Sequence, residues 1–427
     1  MSAIMQNKKG LQILIFGSIM QLFLGIIYVW SVFVNPVSQV YAWDVSGVKL
    51  TSSFMLCFFV VGILVGGKLQ MKAGTQKTVL LGGLMLSAGM FATAFLPMSA
   101  AQLMYLTYGV IGGFGVGAAY NAIITAAQKS FPQNRGFATG ISVCAFGFST
   151  VIFAPLIEAL IKQFSLRNTF IILAVAFLVV VLALFNNIRL PEDGGERAGG
   201  PTPGTSGHTL RGEGGSTTGT SGRPIRGKGG FAGQNTLGEV VRTKEFYCIT
   251  ISLMLATAAF FILNPSFKSF AAERGLGETI GTIVVMLTGV ANALGRLGAP
   301  LMSDKIGREK AALTIIAATA ICALLLCFAQ GFLFMAVIAI IAFCYGGYSG
   351  IYPVLTADYF GLKNVGSNYG AVMVGFALSA LTFPMIIGLI DNNTIKFILL
   401  ASLAAIGAAL VIILMKSRGR HGGLPTM

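Results

Sequence analysis

The sequence predicts an all-α membrane protein in which twelve transmembrane helices form two six-helix bundles related by an internal repeat. Three observations lead to this fold class. The 427 residues are 55% hydrophobic and only 10% charged, with a mean hydropathy of +0.81, whereas soluble domains carry about 25% charged residues. Apolar runs of about 20 residues, long enough to span a bilayer as a helix, recur along the chain. One short motif occurs at equivalent places in both halves.

Each apolar run is interpreted as one helix that ends where polar residues or glycines interrupt it. The predicted spans α1 to α6 are 11–34, 50–70, 78–97, 102–127, 136–162 and 168–190. The predicted spans α7 to α12 are 244–269, 278–302, 310–330, 332–357, 365–390 and 394–416. They define an N-terminal six-helix bundle, residues 1–190, and a C-terminal one, residues 241–427.

Residues 191–240 differ in kind from the rest of the chain. They contain repeated glycines, as in Gly194-Gly195, Gly214-Gly215 and Gly229-Gly230. A glycine-rich phosphate loop needs a strand before it and a helix start after it, and the sequence shows neither. The composition therefore predicts a flexible linker.

Lysine and arginine are distributed unequally between the two sides of the predicted bundle. The side with both termini, the linker and the loops after even-numbered helices carries 22 of the 29, and the other side carries six. Because cytoplasmic loops are enriched in Lys and Arg, we expect the termini and linker to be cytoplasmic, in a plasma or bacterial inner membrane. The same rule explains the net charge of +15 without nucleic acid as a partner.

Cysteine and histidine give no sign of metal or cofactor chemistry. All six cysteines lie in apolar runs without a C-x-x-C pair, and His208 and His421 lie in polar segments. We interpret the cysteines as small packing residues. Paired acids, a nucleophile with its base and a nucleotide motif are likewise missing from the sequence. We therefore expect no cofactor and no enzymatic activity.

The internal repeat has the form K-x-G-x-x-K. It begins with Lys72 and Gly74 after α2, and with Lys305 and Gly307 after α8, at a constant offset of 233 residues. Two parallel halves with a binding site between them near the bilayer midplane are typical of alternating-access transporters. The repeat thus predicts a carrier of two parallel halves with its binding site between them.

Arg296 is the one Lys or Arg that falls deep inside a predicted span. A guanidinium at the bilayer centre costs about 2.5–3.5 kcal/mol on insertion scales and usually faces a partner or a water-filled path. Its alternative role is structural, with backbone carbonyls or a lipid headgroup as partners. The shortage of nearby acids favours an anionic substrate. The planar, forked guanidinium group of arginine binds a carboxylate through two parallel hydrogen bonds.

These features resemble the major facilitator superfamily, whose loop signature is roughly G-x-x-x-D-R/K-x-G-x-R/K. The copy after α8 keeps four of its residues and has Pro300 in place of the leading glycine. The four are Asp304, Lys305, Gly307 and Arg308. The copy after α2 has Met71 in place of the acid. The resemblance implies a cytoplasmic gate locked by charge and helix dipole, more weakly in the first half.

Further segments look like the oxalate/formate antiporter and monocarboxylate transporter group. They are Gly25-Ile26-Ile27-Tyr28-Val29-Trp30, Asn35-Pro36, the run from Phe131 through Arg135 to Gly140, Asn368-Tyr369-Gly370, and Arg296 before Ser303-Asp304-Lys305. That resemblance implies carboxylate binding by Arg296 and a gating position for Arg135.

Two departures from the group bear on substrate and coupling. The oxalate/formate antiporter pairs the α8 arginine with a lysine in α11, and Phe376 stands at that position here. One cation beside an apolar wall suits a monocarboxylate better than a dianion. Animal monocarboxylate transporters carry an aspartate four residues before the arginine, where this chain has Asn292. Since an amide does not titrate, proton coupling by that route is not expected.

Polar and aromatic residues on other helices complete the predicted site. Tyr120 and Asn121 follow a glycine-rich stretch of α4 and are expected in the substrate cavity, with an interhelical hydrogen bond as the alternative. Tyr28 in α1 has the same two interpretations. Tyr345 and Tyr348 form a similar set in α10.

Two residues near the outer end of α7 are assigned to gating. These are Asn264 and Lys268. Lys268 either attracts anions at the outer mouth or simply extends its ammonium group to the membrane surface.

Together these observations predict a secondary transporter of small monocarboxylates such as lactate, pyruvate or formate. It is expected to act as a monomer in the bilayer, with either a co-transported proton or an exchanged anion. Two alternatives are exchange of oxalate or another dicarboxylate, and a membrane sensor that signals through the linker. The linker is too glycine-rich for the folded output domain that a sensor needs.

Overall fold

The computed structural model describes residues 8–190, 235–263, 278–387, 390 and 392–421. Every regular element in these ranges is helical. The predicted gating residues Asn264 and Lys268 and most of the predicted linker lie outside the described residues.

The first six helices follow the predicted spans closely. Their bounds are Lys8–Leu24 and Trp30–Tyr41 (α1, joined by the 3-10 turn Gly25–Val29), Val45–Ala73 (α2), Thr75–Ala94 (α3), Met98–Leu103, Tyr105–Gly112 and Gly113–Ser130 (α4), and the continuous segment Arg135–Leu184 (α5 and α6). In that segment Ser165 has a left-handed φ of 74°, which breaks the helix into its two predicted parts.

The second half repeats the arrangement. Its helices are Lys244–Leu263 (α7), Glu278–Ile306 (α8), Arg308–Leu325 (α9), Gly331–Phe360 (α10), Val365–Ile387 (α11) and Asn393–His421 (α12). Among the described residues, nine stretches are long and apolar enough to cross a membrane, and one of them, Arg135–Asn187, has 53 residues. Because that stretch holds two helices, and α8 and α9 add two more, the structure is consistent with twelve spans.

Close glycine contacts hold each half together in the same way. Gly117 of α4 lies against the carbonyl of Phe59 in α2, and Gly346 of α10 lies against the carbonyl of Asn292 in α8. Small residues allow such close approach of helix backbones. Phe59 and Asn292 are 233 residues apart, whereas Gly117 and Gly346 are 229 apart. The segment from Asn292 to Gly346 is therefore four residues shorter than the segment from Phe59 to Gly117, while the two helix pairs make the same contact.

The two halves meet mainly along two helix pairs, α2 with α11 and α5 with α8. Gly67 packs on the backbone of Gly366, and Gly136 packs on Pro300 and Asp304. These contacts close the end of the bundle where α2, α8 and α10 terminate, which we call the linker end. A binding site between the halves is thus separated from this end by packed backbone.

The chain enters the second half through a short helical turn, Leu237–Val240. Thr236 caps it, and hydrogen bonds from the Thr236 backbone and side chain hold the pKa of the Glu239 carboxyl below its ordinary value. Asn235 donates its backbone N–H to the carbonyl of Phe360 and accepts from Asn368. The last residues of the predicted linker are therefore docked on α10 and α11.

Candidate substrate site and gate

Arg296 lies at the interface of the two halves and is only 1% exposed. Its Nε donates to Oδ1 of Asn292, one turn earlier in α8, at 2.9 Å. Its Nη2 donates to the Tyr28 hydroxyl of α1 at 3.2 Å. The titratable side chains that lie close enough to interact with the guanidinium are three tyrosines, Tyr28, Tyr120 and Tyr345, which carry no charge. A buried cation therefore lies among neutral partners.

Aromatic rings from the first half cover one side of this guanidinium. Its Cζ lies 5.3 Å from the ring centroid of Tyr28 and 5.8 Å from that of Phe146. Tyr120 packs edge-on against Phe146, with centroids 4.8 Å apart. Cations are attracted to aromatic faces within about 6 Å, so these rings offset part of the cost of burying Arg296.

The local chain of α1 explains how Tyr28 reaches Arg296. The 3-10 turn Gly25–Val29 tightens the helix just before Trp30. Gly25 lies against the carbonyl of Phe146, where no larger side chain fits. This contact draws α1 onto α5 and brings Tyr28 and Phe146 to a centroid distance of 5.5 Å.

A second aromatic wall comes from the C-terminal half. Tyr345 of α10 stacks on Phe260 of α7 at 3.8 Å, and Phe261 packs edge-on against Phe376 of α11 at 5.0 Å. The Tyr345 hydroxyl is buried and makes no hydrogen bond of good geometry to a described residue. Nη1 of Arg296 likewise donates to no described residue. The site thus offers a guanidinium edge and one hydroxyl beside apolar rings.

The linker end of α5 and α8 is held by a charge network. The Asp304 carboxylate accepts from the backbone N–H of Phe137 at 2.9 Å and of Gly136 at 3.3 Å, at the start of α5. The Arg308 guanidinium pairs with Asp304 at 2.5 Å. A carboxylate at a helix N-terminus interacts favourably with the helix dipole, so Asp304 ties the two halves together.

Asp358 at the end of α10 extends this network. It pairs with Arg135 of α5 at 2.7 Å and with Arg308 at 3.1 Å. Arg135 therefore joins the gate from the first half. Lys305 and Lys72 are exposed at the same end, and each loop turns at its motif glycine, Gly307 with φ 94° and Gly74 with φ 86°.

Comparisons with known proteins agree with this geometry. A family model described as the Major Facilitator Superfamily matches residues 14–384, with a second match over 249–425. The chain belongs to the major facilitator superfamily. The resemblance and the fold class predicted from the sequence are thereby confirmed, and the chain is an integral, multi-pass membrane protein.

Relatives of this major facilitator include two named carriers of organic anions. Monocarboxylate transporter 12 of Rattus norvegicus is 25% identical, over 85% of this chain and 76% of its own. The oxalate:formate antiporter of Oxalobacter formigenes is 23% identical, over 81% and 76%. The crystal structure of a double-tryptophan XylE mutant shares the fold, with a TM-score of 0.72, 15% identity and 95% coverage of both chains. The relatives are transporters and not enzymes, as predicted.

Not every predicted site residue lines the central site of this major facilitator. The Asn121 amide donates to the carbonyls of Ile63 at 2.8 Å and Gly366 at 2.7 Å, which is the interhelical alternative. Tyr348 faces α9, where its hydroxyl lies 2.5 Å from that of Thr319 and donates to the carbonyl of Ile315. The structure brings together Arg296, Asn292, Tyr28, Tyr120, Tyr345 and Phe376.

Sequence reasoning missed four residues that shape the site: Phe146, Gly147, Phe260 and Tyr369. Tyr369 interacts electrostatically with Tyr120 and Arg296, and its place in the Asn368-Tyr369-Gly370 motif was a usable signal. Phe146 and Phe260 are ordinary apolar residues in apolar runs. Only tertiary contacts identify them.

Gly147 provides the space that Arg296 occupies. A Cβ at Gly147 would lie 2.8 Å from Cδ of Arg296 and 3.1 Å from its Nε. We expect Gly147→Ala to displace the guanidinium and raise the KM for substrate about tenfold, with normal folding. Gly298→Ala is the matched control, because its Cβ would meet its nearest atom at an ordinary 3.4 Å. Uptake kinetics in proteoliposomes measure both, and equal KM values for the two variants would contradict this placement.

Proposed function

We propose that this chain is a secondary transporter of small monocarboxylates, of the lactate, pyruvate or formate type. The observation that carries the proposal is Arg296, a fully buried guanidinium whose hydrogen-bond partners Asn292 and Tyr28 are neutral. A buried charge is costly unless it is paired. A substrate carboxylate supplies the missing charge.

Two groups are available to hold such a substrate. Nη1 of Arg296 makes no hydrogen bond to a described residue and would donate to a carboxylate oxygen. The Tyr345 hydroxyl, which is also buried, would donate to a second oxygen of the substrate. Charge-assisted hydrogen bonds contribute about 1.5–3 kcal/mol each. The aromatic rings of Phe376 and Tyr120 would pack against the carbon atoms of the substrate.

The names of the relatives support an organic anion as substrate. Monocarboxylate transporter 12 and the oxalate:formate antiporter are similar to this chain along most of its length. In this chain, binding of one carboxylate neutralises the site and allows the halves to rock around it. An empty, charged site resists occlusion between two apolar bundles.

The residues around Arg296 restrict how substrate transport can be coupled to a second ion. Asn292 does not titrate, so a proton cannot be held there. Two routes remain: a proton that travels with the substrate, and a second anion that returns the carrier. Uptake of a labelled lactate, pyruvate, formate and oxalate panel into proteoliposomes, with and without an inward proton gradient, distinguishes them. If none of these labelled carboxylates is taken up by the proteoliposomes, the proposed function is refuted.

The apolar side chain of Phe376 favours monocarboxylate transport over the second candidate function, dicarboxylate exchange. Its ring lies 6.3 Å from that of Tyr345, in the wall next to Arg296. We expect Phe376→Lys to add a second cation and to shift preference toward oxalate over lactate by about tenfold. Phe376→Leu is the control, because it changes the size of the wall without its charge. Competition of the two anions for uptake measures the preference. If the unaltered chain transports oxalate faster than lactate, the result favours the exchange function instead.

A further inference from the structure

The contact between α2 and α11 contains a neutral hydrogen-bonding group, the side-chain amide of Asn121 in α4. Its Nδ2 donates one hydrogen to the carbonyl of Ile63 in α2 at 2.8 Å and the other to the carbonyl of Gly366 in α11 at 2.7 Å. Ile63 belongs to the first half and Gly366 to the second. The Asn121 side chain is fully buried, so both hydrogen bonds are shielded from water. One amide therefore spans the boundary between the halves.

The two carbonyl partners fix the orientation of this amide. Oδ1 of Asn121 is buried and accepts no hydrogen bond from a described residue. A flipped amide would place Oδ1 against two carbonyl oxygens and lose both donated bonds. Burial of an unpaired oxygen costs free energy. This cost indicates that the two donated hydrogen bonds are the reason for an asparagine at this position.

The corresponding place in the second half carries no side chain. Asn121 and Gly350 of α10 are 229 residues apart, as are the glycines that make the matching contacts within each half. A Cβ at Gly350 would lie 2.9 Å from the carbonyl oxygen of Arg296, and Arg296 corresponds to Ile63 at the motif offset of 233. The α5–α8 contact is held instead by the Asp304 carboxylate. The two contacts between the halves thus use different chemistry, one a carboxylate and the other an amide.

Asn121 also connects the α2–α11 contact to the central site. The preceding residue, Tyr120, interacts electrostatically with Arg296 and with Tyr369 of α11. Tyr369 lies about one turn after Gly366 in the same helix. Two consecutive residues of α4 therefore meet the beginning of α11, one at the central site and the other nearer the linker end. A movement of α11 at the site is transmitted to Gly366.

We infer that Asn121 is a positioning residue of the gate, whose amide holds α11 against the first half while the linker end is closed. Opening of the linker end breaks the hydrogen bond from Asn121 to Gly366. The bond to Ile63 lies within the first half and stays intact, so the amide keeps its place and can re-form the contact. Every substrate of an alternating-access carrier requires this opening. The inference therefore goes beyond the proposed function.

The test is the accessibility of Cys144, a buried residue of α5 near Arg296. The other five cysteines are replaced by alanine, and a membrane-impermeant thiol reagent is applied from the linker end. Asn121→Leu keeps the approximate volume of the side chain and removes both donors. We expect labelling to become about fivefold faster, the effect of losing one hydrogen bond of ordinary net strength. The labelling needs no substrate, so its failure is distinguishable from failure of the proposed function.

Gln128→Leu is the matched control. Gln128 is also a buried side-chain amide of α4, but it donates to the hydroxyl of Thr139 at 3.1 Å, within the first half. Both leucine variants should lower the melting temperature, because each loses a buried hydrogen bond. Only Asn121→Leu should expose Cys144, since only its bond crosses between the halves.

Salt separates the amide contact from the charge network. The effect of Asn121→Leu on labelling should be equal at about 0.05 M and about 0.5 M sodium chloride, whereas the effect of Asp358→Asn should shrink, because ions screen partly exposed charges. Asn121→Ala, which cannot overpack the site, repeats the test should the leucine variant not fold. An unchanged labelling rate, an equal increase in Gln128→Leu, or an Asn121→Leu effect that shrinks with salt would each overturn the inference.

Discussion

Replacement of Arg296 by lysine or glutamine is expected to abolish saturable carboxylate uptake. Among the residues that the structure describes, the guanidinium is the one charged group in the central site, and it is 1% exposed. Losing the charge-assisted hydrogen bond from Nη1 costs up to about 3 kcal/mol, so kcat/KM should fall by up to about 100-fold. Lysine keeps the charge but lacks the planar guanidinium, which contacts Asn292, Tyr28 and the substrate at the same time.

Neither substitution should prevent folding. Glutamine removes a costly buried charge, and lysine keeps the charge at the end of a flexible side chain. Size-exclusion profiles and melting temperatures check this point. Arg242, an exposed arginine before α7, provides matched controls, since Arg242→Lys and Arg242→Gln should transport normally. Uptake at the normal rate by Arg296→Lys would show that the fork is not needed.

The second large effect is expected from Asp358→Asn, which removes the charge that joins Arg135 to Arg308. The aspartate lies 2.7 Å from the first guanidinium and 3.1 Å from the second. Because these side chains are partly exposed, the network contributes about 1–2 kcal/mol to the closed gate, a factor of about 5 to 30. Asparagine would remove the charge that Arg135 and Arg308 share, although Arg308 keeps Asp304, so the linker end should open more often.

Cys144 offers a natural probe of this opening. It is a buried α5 residue close enough to Arg296 to interact with its charge. With the other five cysteines replaced by alanine, a membrane-impermeant thiol reagent applied from the linker end should label Cys144 about 5 to 30 times faster in Asp358→Asn. Asp44→Asn, at the opposite end of the bundle, is the control. An unchanged labelling rate would mean that the network does not hold the gate.

The central features of the fold and the site were predictable because each left a strong local signal. Long apolar runs define the helices, and a charge within such a run makes Arg296 conspicuous. The K-x-G-x-x-K repeat identified two equivalent loops, and both motif glycines adopt positive φ values. In each case, the physical requirement falls on one residue or on one short segment.

The remaining features depend on residues that are distant in sequence. Asp358 joins Arg135 across 223 positions, and nothing near either residue indicates the pair. Asn121 was predicted in the cavity because a buried amide needs partners, but its partners are the backbone carbonyls of Ile63 and Gly366. The matching contacts of Gly117 with Phe59 and of Gly346 with Asn292 are likewise visible only in the packed helices.

Direct binding tests the central claim, that Arg296 holds a substrate carboxylate between the two halves. The measurement is equilibrium binding of radiolabelled lactate, pyruvate and formate to the purified chain and to Arg296→Lys, with Arg242→Lys as the control. The geometry predicts saturable binding of at least one of these monocarboxylates to the unaltered chain and to the control, and its loss in Arg296→Lys. Binding of equal affinity to all three proteins would contradict it.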